Sequence, residues 1–178
     1  MIPYFIMLVG IPGSGKSKWS KEVKSETTVV VCPDEIRKEM CGDISNMSVI
    51  VEAWVEAKSQ TVSLLKEGMN VILDATNVDA SYWQDFIGDL PECQMVAKLF
   101  EVAPEVAYGR IEQDIMNNVD RANVPEYVVY RMYGQYLHTK KIICEFFTDV
   151  TDITDVEDWI TDVEESKKRF GGHYKQEV

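Results

Sequence analysis

The chain has 178 residues, of which 46% are hydrophobic and 27% charged, and its formal net charge is −12 at pH 7. That length suits one globular domain with a substantial core, and the negative charge argues against a broad electrostatic grip on nucleic acid. A nucleic-acid end held by a few local cations stays open. Because no apolar stretch reaches the roughly 20 residues of a membrane span, we expect a cytoplasmic protein, in the host cytoplasm if a phage encodes it.

Strand and helix patterns alternate along the chain. The predicted strands cover residues 4–9, 27–32, 71–73, 94–102 and 148–153. The predicted helices cover 15–24, a segment opening at 33, 46–67, 79–87, 104–117, 125–147 and 156–170. This alternation predicts a three-layer α/β fold, a mostly parallel sheet of about five strands with helices on both faces. We expect one domain over residues 1–170 and a mobile tail over 171–178.

Two local expectations follow from composition. The second strand is rich in β-branched residues, which predicts burial on both faces. Acidic residues crowd the segment 149–165, where we expect a solvated surface.

The stretch Gly-Ile-Pro-Gly-Ser-Gly-Lys-Ser matches a complete phosphate-binding loop, G-x-x-x-x-G-K-[ST]. It follows a predicted strand and opens a predicted helix, where backbone N–H groups surround phosphate oxygens. We expect Lys16 to reach the β- and γ-phosphates and the Ser17 hydroxyl to help hold Mg²⁺. The predicted nucleotide-binding residues are Gly10, Ile11, Pro12, Gly13, Ser14, Gly15, Lys16 and Ser17. The alternative is a glycine-rich turn without a ligand, and the pattern does not distinguish ATP from GTP.

Asp34 and Arg37 lie three residues apart, so they share one face of the helix that follows the second strand. The carboxyl ends of parallel strands meet at one edge, which brings Asp34 beside the phosphate loop. A carboxylate there can accept the proton of an attacking hydroxyl, and the arginine can bind a phosphate of the acceptor. The alternative is a helix-start aspartate in an i,i+3 ion pair.

Asp74 and Asn77 follow the third strand at the same predicted edge. Asp74 can contact Mg²⁺ through water or orient residues that bind the acceptor. The alternatives are a turn-forming aspartate and an asparagine that caps the next helix.

Arg110 lies on the predicted helix before a polar break at 118–124, and Arg121 lies within that break. An arginine on a mobile lid there can stabilise the transferring phosphoryl group. The alternative is a pair of surface arginines, with Glu112, Asp114 and Asp120 as ion-pair partners.

Four motifs together resemble the kinase domain of the polynucleotide 5′-hydroxyl kinase family, found in phage-type and bacterial end-healing enzymes. They are the phosphate loop, P-D-E-I-R at 33–37, L-D-A-T-N at 73–77 and V-P-E-Y-V-V-Y-R-M-Y at 124–133. The resemblance implies a P-loop kinase fold that uses ATP and Mg²⁺ and transfers the γ-phosphate to a polynucleotide 5′-hydroxyl.

The resemblance also implies roles for individual residues. Lys16 and Ser17 would be the phosphate and magnesium residues, and Asp34 the general base. Arg37 would bind the acceptor phosphate, Asp74 and Asn77 would form the strand-end motif, and Arg110 and Arg121 would fall in the lid.

The chain departs from the family pattern at two places. Asp114 stands where members usually carry a second lid arginine, and Ser81-Tyr82-Trp83-Gln84 lacks an arginine usual after the strand-end motif. Two alternative functions therefore stay open. One is a small-metabolite kinase acting on a sugar, nucleoside or antibiotic, and the other is a nucleotide-gated binding protein that transfers no phosphate.

Overall fold

A computed structural model describes residues 1–172 of the chain. Its five strands are β1 (Tyr4–Val9), β2 (Thr28–Val31), β3 (Asn70–Leu73), β4 (Gln94–Phe100) and β5 (Asp149–Ile153). Its helices within these residues are α1 (Lys16–Val23), α2 (Pro33–Cys41), α3 (Ile50–Lys66), α4 (Ala80–Ile87), α5 (Pro104–Met116), α6 (Glu126–Ile142) and α7 (Val156–Phe170). The predicted tail at 171–178 lies, from residue 173 onward, outside the described residues.

The five strands form one parallel sheet in the order β2-β3-β1-β4-β5. The most apolar strand, β1, lies in the centre and pairs with β3 and β4. This arrangement confirms the predicted α/β fold, and it places the ends of β1, β2 and β3 side by side at one edge.

Side chains of β1 alternate between two buried layers, as the two-residue period of a strand requires. Phe5, Met7 and Val9 pack with α3, α4, α5 and α6, whereas Ile6 and Leu8 pack with α1 and α7. Helices therefore cover both faces of the sheet, and α1 lies directly behind the loop that ends β1.

Three predicted features differ in detail. The second strand lies at the sheet edge, so Val29 and Val30 are only half-buried rather than covered on both faces. The predicted helix over 46–67 divides into a 3-10 turn at Met47–Val49 and α3. The predicted helix over 125–147 ends at Ile142 and continues as a second 3-10 turn.

Within residues 1–172, no helix combines the length and the apolar composition of a membrane span.

A buried ion pair joins β4 to α7. The Lys98 ammonium lies 2.7 Å from the Asp162 carboxylate, and both side chains are 6% exposed. The same carboxylate accepts hydrogen bonds from the Trp19 indole at 2.8 Å and from the Ser166 hydroxyl at 3.2 Å. Asp162 thus departs from the solvated surface expected for the acidic segment, because Lys98 and two neutral donors replace its water.

We predict that Asp162→Ala lowers the free energy of unfolding by about 3–5 kcal/mol, because it leaves the Lys98 charge buried without a partner. Lys98→Met combined with Asp162→Leu should recover most of that loss. Urea unfolding measures both, with Asp89→Ala as the control, since the pair of Asp89 with Lys58 is exposed and contributes within about 1 kcal/mol. An Asp162→Ala loss no larger than that of Asp89→Ala would contradict the assignment.

Candidate active site

The phosphate loop, residues 10–17, connects the end of β1 to the start of α1. Gly13 and Gly15 have φ angles of 81° and 95°, which L side chains rarely adopt. A Cβ atom on Gly13 would also lie 2.5 Å from the carbonyl oxygen of Ala107 on α5. Glycine is therefore required at this position both for the backbone conformation and for the close approach of α5.

Lys16 is buried at the first position of α1. Its ammonium donates to the carbonyl of Ile11 at 2.9 Å and to the hydroxyl of Ser14 at 3.1 Å, so it bridges the loop. Burial lowers the pKa of Lys16 to about 8, and the nearby carboxylates of Asp74 and Asp34 only partly offset that effect. Negative phosphate oxygens at this place would favour the charged form of the amine.

Asp74 directly follows β3 and has a buried carboxylate that faces α1. One oxygen accepts from the Ser17 hydroxyl at 3.3 Å, and the other accepts from the Ser20 hydroxyl at 2.8 Å. The two residues predicted to serve Mg²⁺ are thus neighbours. A hydroxyl and a carboxylate are hard oxygen donors, which fits that cation.

Asp34 and Arg37 lie in the first two turns of α2, which begins at Pro33. The Asp34 side chain is 56% exposed, whereas that of Arg37 is 6% exposed. The guanidinium donates to Asp34 at 2.9 Å and to the carbonyl of Ile44 at 2.8 Å. Arg37 therefore lies behind Asp34 and fixes one oxygen of an accessible carboxylate, while its own contact with an acceptor stays a prediction.

Asn77 supports the site from behind. It adopts a left-handed conformation, with φ of 48°, and its amide donates to the carbonyl of Leu8 at 2.7 Å. One residue earlier, the Thr76 carbonyl accepts from the N–H of Gly10 at 2.9 Å. These bonds tie the exit of β3 to the loop that follows β1, and Asn77 itself does not line the cleft.

The lid segment, residues 117–125, connects α5 to α6. Arg121 within it donates to the carboxylate of Asp114 at 2.5 Å, and Asp120 pairs with Lys38 of α2. On α5, Arg110 donates to the carbonyl of Gly13 at 3.1 Å. Arg110 therefore contacts the phosphate loop directly, whereas the contact of Arg121 is with α5.

One cleft of about 1010 Å³ collects most of the predicted site residues. Lys16, Ser17, Asp34 and Asp74 line it together with Arg110 and Arg121, whereas Gly10, Ile11, Arg37 and Asn77 lie behind it. The lining residues that sequence reasoning missed include Ser20, Lys21, Lys24, Glu101 and Trp159. Ser20 was predictable from its spacing, because it follows Ser17 by about one helical turn and so lies on the same face of α1.

The Cys32 thiol also borders the cleft, close to Asp74. Burial and the negative charge of Asp74 raise the pKa of Cys32 to about 12. Both effects favour the neutral thiol over the thiolate.

Residues 5–137 match the family model described as AAA domain. The chain belongs to this family. Among solved structures, it resembles a chain of the Pnkp1/Rnl/Hen1 RNA repair complex, with 26% identity and a TM-score of 0.70, over 79% of this chain and 46% of that one. A chain from another structure of the Pnkp1/Rnl/Hen1 complex is 32% identical with a TM-score of 0.56, over 61% of this chain and 39% of that one.

A candidate kinase from Chloroflexus aurantiacus is 12% identical with a TM-score of 0.66, over 94% of this chain and 98% of that one, and shows the fold alone. The comparison with curated proteins gives no match. The chain spans less than half the length of the two Pnkp1/Rnl/Hen1 chains it resembles. Together these findings confirm the resemblance to the polynucleotide kinase family and a P-loop kinase-like fold.

The pKa of Lys16 predicts how nucleotide affinity depends on pH. Phosphate binding raises that pKa, so above pH 8 the protein must take up a proton and its affinity for ATP should fall by up to about tenfold per pH unit. Calorimetry at pH 9 in two buffers of different ionisation enthalpy measures the proton uptake. Lys16→Arg, which stays charged, should bind without uptake. Wild-type affinity that is constant between pH 7.5 and 9.5 would contradict this account.

Proposed function

We propose that the protein is an ATP- and Mg²⁺-dependent phosphotransferase that moves the γ-phosphate of ATP to a hydroxyl, with the 5′-hydroxyl end of a polynucleotide as acceptor. One observation carries this proposal. Residues 12–17 of the phosphate loop, a strand-end carboxylate and a second, accessible carboxylate line a single cleft at the carboxyl edge of the sheet. The first two suit the donor nucleotide, and the third suits an attacking hydroxyl.

On the donor side, the backbone of residues 10–17 and the Lys16 ammonium hold the β- and γ-phosphates. Ser17 and Asp74 would hold Mg²⁺, which would supply positive charge to offset that of the phosphates. Arg121 reaches the transferred group from the lid segment. These contacts stabilise charge that spreads over the phosphoryl oxygens during transfer.

On the acceptor side, Asp34 accepts the proton of the attacking hydroxyl. Its carboxylate is accessible, and Arg37 fixes one oxygen so that the other remains for the acceptor. The γ-phosphorus forms a bond to the hydroxyl oxygen, its bond to the bridging oxygen of ATP breaks so that ADP leaves, and the hydroxyl proton passes to Asp34. This arrangement matches a displacement in which positioning and electrostatics supply most of the catalysis.

Three lysines support a polyanionic acceptor. Lys18, Lys21 and Lys24 on or just after α1 line the cleft, and none pairs with a carboxylate among residues 1–172. Unpaired lysines in a chain of net charge −12 are suited to phosphodiester groups. The likeness to a chain of an RNA repair complex favours the same class of acceptor.

We predict that Asp34→Asn lowers phosphoryl transfer to a 5′-hydroxyl oligonucleotide by about 10²–10⁴, because the amide cannot accept the hydroxyl proton. ATP affinity should stay within about threefold, since Asp34 serves the acceptor rather than the donor. Labelled ATP measures transfer, and calorimetry measures binding. Glu35→Gln, which changes a neighbouring exposed carboxylate of the same cleft, is the matched control and should transfer at nearly the wild-type rate.

An acceptor panel decides among the competing functions. Transfer to a sugar, nucleoside or antibiotic but not to oligonucleotides would replace the proposal with a small-metabolite kinase. Tight ATP binding with no transfer to any hydroxyl would replace it with a nucleotide-gated binding protein. Wild-type transfer rates in Asp34→Asn would refute the assignment of the base.

We further predict that Lys21 and Lys24 raise kcat/KM only for acceptors that are several nucleotides long. Lys21→Gln with Lys24→Gln should lower kcat/KM for a hexanucleotide and leave that for a nucleoside 3′-monophosphate unchanged. The salt dependence of log kcat/KM should weaken by about 0.7 for each lysine removed, the value for single strands. Lys66→Gln, an exposed lysine outside the cleft, is the control. An equal effect on both acceptors would contradict this assignment.

A further inference from the structure

The Arg121 guanidinium is held on one side only. Its Nη1 donates to Asp114 at 2.5 Å, while its Nε is buried and has no hydrogen-bond partner among residues 1–172. Nη1 lies next to Cδ, so the opposite edge is formed by Nε and Nη2; this edge donates no hydrogen bond among residues 1–172, and we call it the open edge. We infer that Asp114 is a positioning residue that orients this open edge of Arg121 toward the terminal phosphoryl group of the bound nucleotide.

An unsatisfied buried N–H is costly, at about 1–3 kcal/mol, and needs an explanation. Arg121 lines the same cleft as the phosphate loop, and its charge contributes to lowering the pKa of Lys16. The Arg121 charge therefore lies within electrostatic range of Lys16 in the phosphate loop. A phosphoryl group accepts two parallel N–H bonds from such an edge, which would satisfy the unpaired Nε.

The location of Asp114 argues against a role in helix stability. It lies in the last turn of α5, where the helix dipole disfavours a negative charge. Its backbone carbonyl accepts from the N–H of Val119 at 2.9 Å, so the same residue also fixes the turn that starts the lid segment. Asp114 thus holds both the backbone and the arginine of this segment.

The second ion pair of the lid segment acts in the same direction. Lys38 pairs with Asp120, the residue before Arg121, and Lys38 lies on α2, one residue after Arg37. The segment is therefore tied to α5 on one side and to the helix of Asp34 on the other. Arg121 is held between the donor and acceptor sides of the cleft.

This inference rests on the proposed function, and a double-mutant cycle tests it. Asp114→Asn should lower kcat for transfer about 10–100-fold and weaken ATP binding only a few-fold, because a misplaced guanidinium loses some contact with the bound nucleotide but fails mainly in the transition state. Arg121→Ala should lower kcat about 10³-fold or more. The double variant should be no slower than Arg121→Ala, since Asp114 acts through Arg121.

Two further variants serve as a rescue and a control. Asp114→Glu keeps the carboxylate and should recover part of the lost rate. Asp89→Asn, which breaks an exposed ion pair outside the cleft, should leave kcat unchanged. An Asp114→Asn variant with wild-type kcat, or one that loses as much rate in the Arg121→Ala background as in the wild type, would overturn the inference.

A second readout needs no acceptor. The affinity for the β,γ-imido analogue of ATP relative to ADP reports contacts to the terminal phosphoryl group, and calorimetry measures it. Asp114→Asn and Arg121→Ala should both reduce this ratio, and the double variant should match Arg121→Ala. If the wild type transferred phosphate to no acceptor, the proposed function would fail, whereas an unchanged ratio in Asp114→Asn would refute the positioning role alone.

Discussion

The site depends on the contact between the end of β3 and the start of α1. The Asp74 carboxylate accepts hydrogen bonds from the hydroxyls of Ser17 and Ser20. This contact is possible because β3 and β1 are parallel neighbours whose carboxyl ends lie side by side. The bond from Asn77 to Leu8 holds the same two strand exits together. The phosphate loop therefore begins from a fixed position, and its Lys16 is buried at a defined depth rather than free in solvent.

The acceptor side is built from a different kind of interaction. Three ion pairs lie on α2, on α5 and in the lid segment. They join Asp34 to Arg37, Lys38 to Asp120, and Asp114 to Arg121. Except for Arg37, these side chains are at least one-fifth exposed, so their contribution to stability is small. Their effect is on orientation, because each pair fixes the direction in which a carboxylate or guanidinium faces the cleft. Buried hydrogen bonds thus position the donor side of the cleft, whereas mostly exposed ion pairs orient the acceptor side.

Local patterns predicted what depends on local sequence. The phosphate loop, Asp34 and Asp74 were recognisable because each directly follows a strand, and strand ends share one edge in a parallel sheet. The edge position of β2 was not predictable, since strand order is a long-range property. The burial of Asp162 depends on Lys98, and the burial of Arg37 depends on the Ile44 carbonyl, so spacing alone revealed neither. The pairing of Arg121 with Asp114 was among the expected alternatives, but its open edge was not.

A structure of the Asp34→Asn variant with Mg²⁺, the β,γ-imido analogue of ATP and a 5′-hydroxyl dinucleotide tests the central claim most directly. Our account predicts the acceptor 5′-oxygen within about 2.6–3.2 Å of the residue-34 amide and in line with the γ-phosphorus. It also predicts the Nε–Nη2 edge of Arg121 on the γ-phosphoryl oxygens. An acceptor bound away from residue 34, or a terminal phosphoryl group pointing away from α2, would contradict it.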